Sequence, residues 1–179
     1  MFLIWSLATP AFAVDENLIK DVEQLRNSLS LKESQRRTLG LRLADLFFDG
    51  ATDLGRLLAP TESETTKLAT YRRRAISLYE EALTGADGFA PPAGNLKLNI
   101  QFQLARLYQD VGNDAKSTPL WLVLVQQNEL NDLKREAALR LAERAEKSHS
   151  KTSVAEADKY YQLAISLCAA SDLCSYSLS

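Results

Sequence analysis

Few residues in this chain belong to types that do chemistry, and their spacing argues against a reaction centre. His149 is the sole histidine and sits in the polar stretch Lys147-Ser148-His149-Ser150. A histidine base works only when a nucleophile and an orienting carboxylate are brought to it. The sequence holds neither a nucleophile elbow nor a Gly-rich phosphate loop, so an exposed loop position is expected. Cys168 and Cys174 are the two cysteines. Two sulfurs with no nearby histidine cannot complete a tetrahedral shell, and no metal site or cofactor is expected. Two readings of the pair stand: a disulfide across a turn, as an oxidising compartment permits, or two small apolar side chains packed in a core. Arg72-Arg73-Arg74 is the densest run of charge. Successive helical residues point about 100° apart, so the three cannot make one flat patch. A solvated helix surface neutralised by Glu62, Glu64, Glu80 and Glu81 is expected. The chain reads as a non-enzyme; an enzyme with an unrecognised site is the minor alternative.

The elements that would carry these residues are helical. Of 179 residues 46% are hydrophobic, and only 7 are Gly and 5 Pro, which favours long helices over a many-stranded β fold. The 21 basic and 23 acidic residues are mixed along the chain, with no basic tail to follow a phosphate backbone, so nucleic acid is not an expected partner. Residues 1–13 stand apart. An apolar run from Met1 to Ala8 is broken by Pro10 and followed by Ala11-Phe12-Ala13. This reads as a secretory signal peptide cleaved after Ala13, too short to span a bilayer, leaving no stable membrane insertion. No Lys or Arg precedes the apolar run, so either the start lies upstream or the signal is a weak one; the rival reading is a first core helix.

Beyond Ala13, Leu18, Val22, Leu25 and Leu29 predict an amphipathic helix in residues 14–30 that packs on the helices C-terminal to it. Further helices are expected at about 31–48, 64–84, 96–111, 117–128, 132–147 and 153–170. The expected punctuation is Asp49-Gly50, the loop Asp49–Ser63 with Gly55, Pro60 and Thr61-Glu62-Ser63, Gly85, the linker Gly85–Gly94 with Pro91-Pro92, Gly112-Asn113, Asn131-Asp132 and Ser148–Thr152, with Pro119 in the first turn of its helix. Within this frame one spacing recurs. Leu43-Ala44 precedes Phe47, Leu104-Ala105 precedes Tyr108, and Leu141-Ala142 precedes Ala145. Downstream lie Ala75, Tyr79 and Ala82-Leu83; Ser117, Trp121 and Leu124-Val125; and Ala157, Tyr161 and Ala164-Ile165. A small residue beside a leucine lets a partner helix approach, and the ring one turn on fills the remaining gap.

These elements resemble the tetratricopeptide repeat, L-G-x-x-Y in a first helix and A-x-x-x-F-x-x-A in a second, over residues 38–165. The pattern departs where Gly40, Gln101 and Ala138 replace the opening tryptophan, where Ala145 replaces the aromatic, and where the closing prolines are absent. The resemblance implies an all-α fold, a right-handed α-solenoid of antiparallel helix hairpins, about three repeats in 31–179 plus an N-terminal helix. It also implies a groove for a protein or peptide partner along the first helix of each pair. Aligned on the leucine, that face holds Thr38, Leu41, Asp45 and Phe48; Asn99, Phe102, Arg106 and Gln109; and Glu136, Leu139, Glu143 and Glu146. Leu41, Phe102 and Leu139 stand where the family's carboxylate clamp would carry basic residues, so that use is not expected. A periplasmic or secreted scaffold of a cell-envelope assembly is the resulting expectation. The rival is an N-terminal structural fragment of a larger repeat protein serving motility, division or secretion machinery.

Overall fold

The computed structural model describes residues 15–28, 32–85, 88, 90–128, 132–148 and 151–169. The expected signal peptide at 1–13, His149 and Cys174 lie outside them. Among the described residues there are seven α-helices and no strand: α1 Glu16–Arg26, α2 Glu33–Gly55, α3 Glu62–Thr84, α4 Gly94–Asp110, α5 Asp114–Val125, α6 Asp132–Lys147 and α7 Lys151–Ala169. None is long and apolar enough to cross a membrane. The chain divides into two compact units, Met1–Pro91 and Pro92–Ser179, with the break in the Pro91-Pro92 linker.

Several helix limits differ from expectation, each for a local reason. α2 runs through Asp49-Gly50 to Gly55. Gly50 and Ala51 are buried, and packing outweighs the roughly 1 kcal/mol that an interior glycine costs a helix. The length of the first hairpin thus lies in its helices, 23 residues each, and not in a long loop. Thr61 is a cap, not a loop residue. Its hydroxyl accepts from the Glu64 N–H at 3.2 Å, and Glu64 accepts from the Thr61 N–H at 2.7 Å, the reciprocal pair that starts a helix. Gly85 stops α3 at φ 74°, a left-handed conformation that suits glycine. α5 begins at Asp114, because the Asn113 side chain accepts from the Lys116 N–H at 3.2 Å. Pro119 is consequently inside the helix and not in its first turn. Its missing N–H leaves the Ala115 carbonyl without a helical donor, at an exposed residue where water can serve.

In the first unit α2 and α3 form an antiparallel hairpin. Tyr71 meets Phe47 edge-on at 5.3 Å, Tyr79 meets Asp45, and Arg37 reaches back to the carbonyls of Ala82 and Ala90. α1 packs on α2 and is tied to α3 by Glu16–Lys67, Glu23–Arg74 and Arg26–Glu81. Both sets of numbers rise together, so α1 runs parallel to α3. The inward stripe of α1 is Ile19, Val22, Glu23 and Arg26. Ile19 is buried and the other three half-buried, while Leu18 and Leu25 are exposed. The expected Leu18–Leu25 stripe therefore faces largely outward. Ion pairing selects the face: turning Leu18 inward would swing Glu23 away from Arg74.

The second unit alternates direction along α4, α5, α6 and α7. Phe102 meets Trp121, Arg144 meets Thr118, and Tyr161 meets Glu146, so each helix is antiparallel to the next. α4 also touches α6. The core gathers Ala105, Trp121, Leu124, Ala137, Leu141, Ala142 and Tyr160. All three Leu-Ala pairs of the repeated spacing, Leu43-Ala44, Leu104-Ala105 and Leu141-Ala142, are buried. In the last hairpin the ring that fills the core is Tyr160, not the expected Tyr161, and Ile165 is 59% exposed.

Candidate functional site

The residues aligned on the first helices fall into two groups, one in each unit. In the first unit most are engaged by their own hairpin. Phe48 is buried. Asp45 is half-buried and accepts the Tyr79 hydroxyl at 2.6 Å. Burial, and then the Asp45 carboxylate, push that phenol far above its ordinary value, so it stays a donor. Leu41 is half-buried and lines a small pocket with Arg26, Arg36, Arg37 and Gly40. Thr38 is exposed, its hydroxyl donating to the Ser34 carbonyl at 3.0 Å.

The second unit offers more surface. Asn99 is exposed; Phe102, Arg106 and Gln109 are half-buried along α4. Phe102 stands edge-on to the buried Trp121 at 5.6 Å, with ring planes at 80°, a geometry that suits the aromatic quadrupole. The Arg106 guanidinium carbon lies 5.9 Å from the Phe102 ring centre. A ring held from behind and flanked by a cation keeps its orientation while part of it stays open to solvent.

On α6, Leu139 and Glu143 are half-buried, and between them stands a residue outside the predicted set. Arg140 donates to Glu136 at 2.8 Å and to Glu143 at 3.1 Å. Burial opposes its charge, yet the bonds to Glu136 and Glu143 hold its pKa above the ordinary value. The signal was present in sequence, since Glu136 and Glu143 lie one turn to either side of Arg140. Glu146 accepts the Tyr161 hydroxyl at 3.0 Å. This face is a row of charged and amide groups broken by Phe102 and Leu139.

Arg72-Arg73-Arg74 does not remain a uniform solvated surface. Arg74 pairs with Glu23 of α1 and lies 5.5 Å from the Phe47 ring centre, so this arginine joins helices. Cys168 is half-buried, and its sulfur accepts from the Arg135 guanidinium at 3.8 Å. Cys174, the other member of the pair for which a disulfide and core packing both stand as readings, lies outside the residues described. Among the described residues no group of His, Cys, Asp and Glu is placed to hold a metal ion. No family model, curated protein or solved structure matches the chain.

Proposed function

We propose that the chain is a non-enzymatic scaffold of tetratricopeptide-like helix hairpins that binds a protein segment, exported to act in a bacterial cell envelope. The observation that carries the binding reading is Phe102: a ring on the first helix of its hairpin, backed by Trp121, flanked by Arg106 and only half-buried. Partner surfaces draw much of their affinity from such aromatic and arginine side chains on a firm base. Within the second unit, the stacking reading is supported by the alternating direction of α4 to α7, the contact between α4 and α6, and the burial of Leu104-Ala105 and Leu141-Ala142. Hairpins that share a core in this way stack side by side and leave one edge of first helices free. The export reading rests on the sequence of residues 1–13.

Crosslinking in the native envelope followed by mass spectrometry identifies the partner. Capture of that partner should fall at least about tenfold when Phe102→Ala and Arg106→Ala are combined, the size expected of two central interface residues, with helicity by circular dichroism unchanged. Undiminished capture by the folded double variant removes this face as the binding surface.

A further inference from the structure

The three Leu-Ala elements share a beginning but not an end. One turn after its pair, the first carries Phe47 and the second Tyr108, both buried. Phe47 packs on Tyr71, and Tyr108 lies under the Lys116 ammonium, 5.0 Å from its ring centre. At the same place α6 carries Ala145. Around that alanine a cleft of about 320 Å³ opens between α5, α6 and α7.

Its chemistry is divided. Leu141 and Ala145, both buried, and Leu122 supply apolar surface. Ser148, Thr152 and Glu156 are exposed at its mouth, and Arg144 lines it as well. Arg144 is turned toward Thr118 and Asp114, which leaves the Glu156 carboxylate as the anionic acceptor on the opposite helix. The volume lies at the lower end of the range of ligand pockets. The chain's own nearby tyrosines are engaged elsewhere: Tyr160 is in the core and Tyr161 is bonded to Glu146.

We propose that this cleft receives a tyrosine-type ring supplied by a partner segment, in the place that Phe47 and Tyr108 fill from within their own hairpins. A ring seated there removes about 150–250 Å² of its surface from water. It covers Leu122 and Leu141, while its hydroxyl remains at the polar mouth within the reach of a carboxylate acceptor. Phenylalanine would gain the burial but not the hydrogen bond. The lining contains neither Phe102 nor Arg106, so this site stands or falls separately from the binding surface at Phe102.

The test uses the full chain with p-cresol and toluene as probes, monitored through the methyl resonances of Leu122, Leu141 and Ala145. p-Cresol should shift all three saturably, and toluene should bind about tenfold more weakly, the ratio expected of one hydrogen bond to a charged acceptor. Glu156→Gln should bring p-cresol close to toluene while leaving toluene unchanged. Ala145→Phe should fill the cleft from within, raise the melting temperature and abolish the response to both probes. Methyl resonances that stay unmoved in the native chain overturn the proposal. So does an Ala145→Phe chain that still binds p-cresol, or equal binding of the two probes in the native chain. Should Ala145→Phe fail to fold, the native titration and Glu156→Gln decide alone.

Discussion

In the unit that ends at Pro91, charge runs between helices. Glu16 reaches Lys67, Glu23 reaches Arg74, and Arg26 reaches Glu81; Lys67 and Arg74 also lie against the rings of Tyr71 and Phe47. In the unit that begins at Pro92, α6 keeps much of its charge to itself, in Asp132–Arg135, Glu136–Arg140 and Arg140–Glu143. One link between helices there is the longer Arg144–Asp114 pair at 3.8 Å. The difference arises from what each helix can bury. α1 offers one buried side chain, Ile19, so its place depends on the charges beside it. α6 offers Ala137, Ala138, Leu141, Ala142 and Ala145, and small side chains bring neighbouring helices close enough for dispersion contacts to hold them. Stability in the first unit should therefore respond to salt at its α1 edge, while in the second it should respond to side-chain volume.

Volume changes in the second unit give the largest effect. Trp121→Ala should cost about 3–5 kcal/mol, since Trp121 is 2% exposed at the centre of its core. Urea unfolding measures it, and a loss under about 1 kcal/mol, far below the usual cost of emptying such a site, would mean that this core does not depend on that ring. Next comes the buried polar link of the first unit. Tyr79→Phe leaves Asp45 without its 2.6 Å donor and should cost about 1.5–3 kcal/mol in the same unfolding measurement, as for hydrogen bonds to charged groups.

Smaller again is Arg74→Gln, expected at about 0.2–1 kcal/mol in low salt and near zero in about 1 M salt, where screening acts over about 3 Å. A loss that persists in high salt would assign Arg74 a packing role on Phe47 instead. The smallest change is expected at Asp49, whose carboxyl is raised by burial and then by Asp45. A raised acid binds its proton more tightly in the folded chain. Its contribution therefore favours the fold at low pH and is lost as pH rises through the folded value. Asp49→Asn should melt slightly higher than the native chain at about pH 7, and the advantage should vanish below about pH 4. A variant less stable at neutral pH would show that the carboxylate has a favourable contact.

Much of the fold could be read from the residues, because helix identity is a local property of pattern and caps. α6 lies at Asp132–Lys147 as the pattern requires, and Gly85 ends α3. The Thr61–Glu64 capping box was equally local, a threonine with a glutamate three residues later, yet its position beside Pro60 made it read as loop. Gly50 was a different case. A glycine after aspartate is a stop signal unless packing intervenes, and only the burial of Gly50 and Ala51 shows that it does. The candidate face was legible as positions but not as accessibility. Periodicity puts Phe48 and Phe102 on the same predicted face, whereas neighbouring helices bury the first and leave part of the second open.

By itself the sequence determined that this chain forms helices, where most of them begin and end, and which Leu-Ala pairs lie inside, since these depend on periodicity and on residues a few positions apart. Tertiary structure alone decided that α1 turns Ile19 inward, that Arg74 joins two helices, and that the alanine at 145 borders an open cleft. Each of those outcomes depends on side chains from helices distant in sequence meeting or failing to meet, and spacing along one helix carries no record of its neighbour.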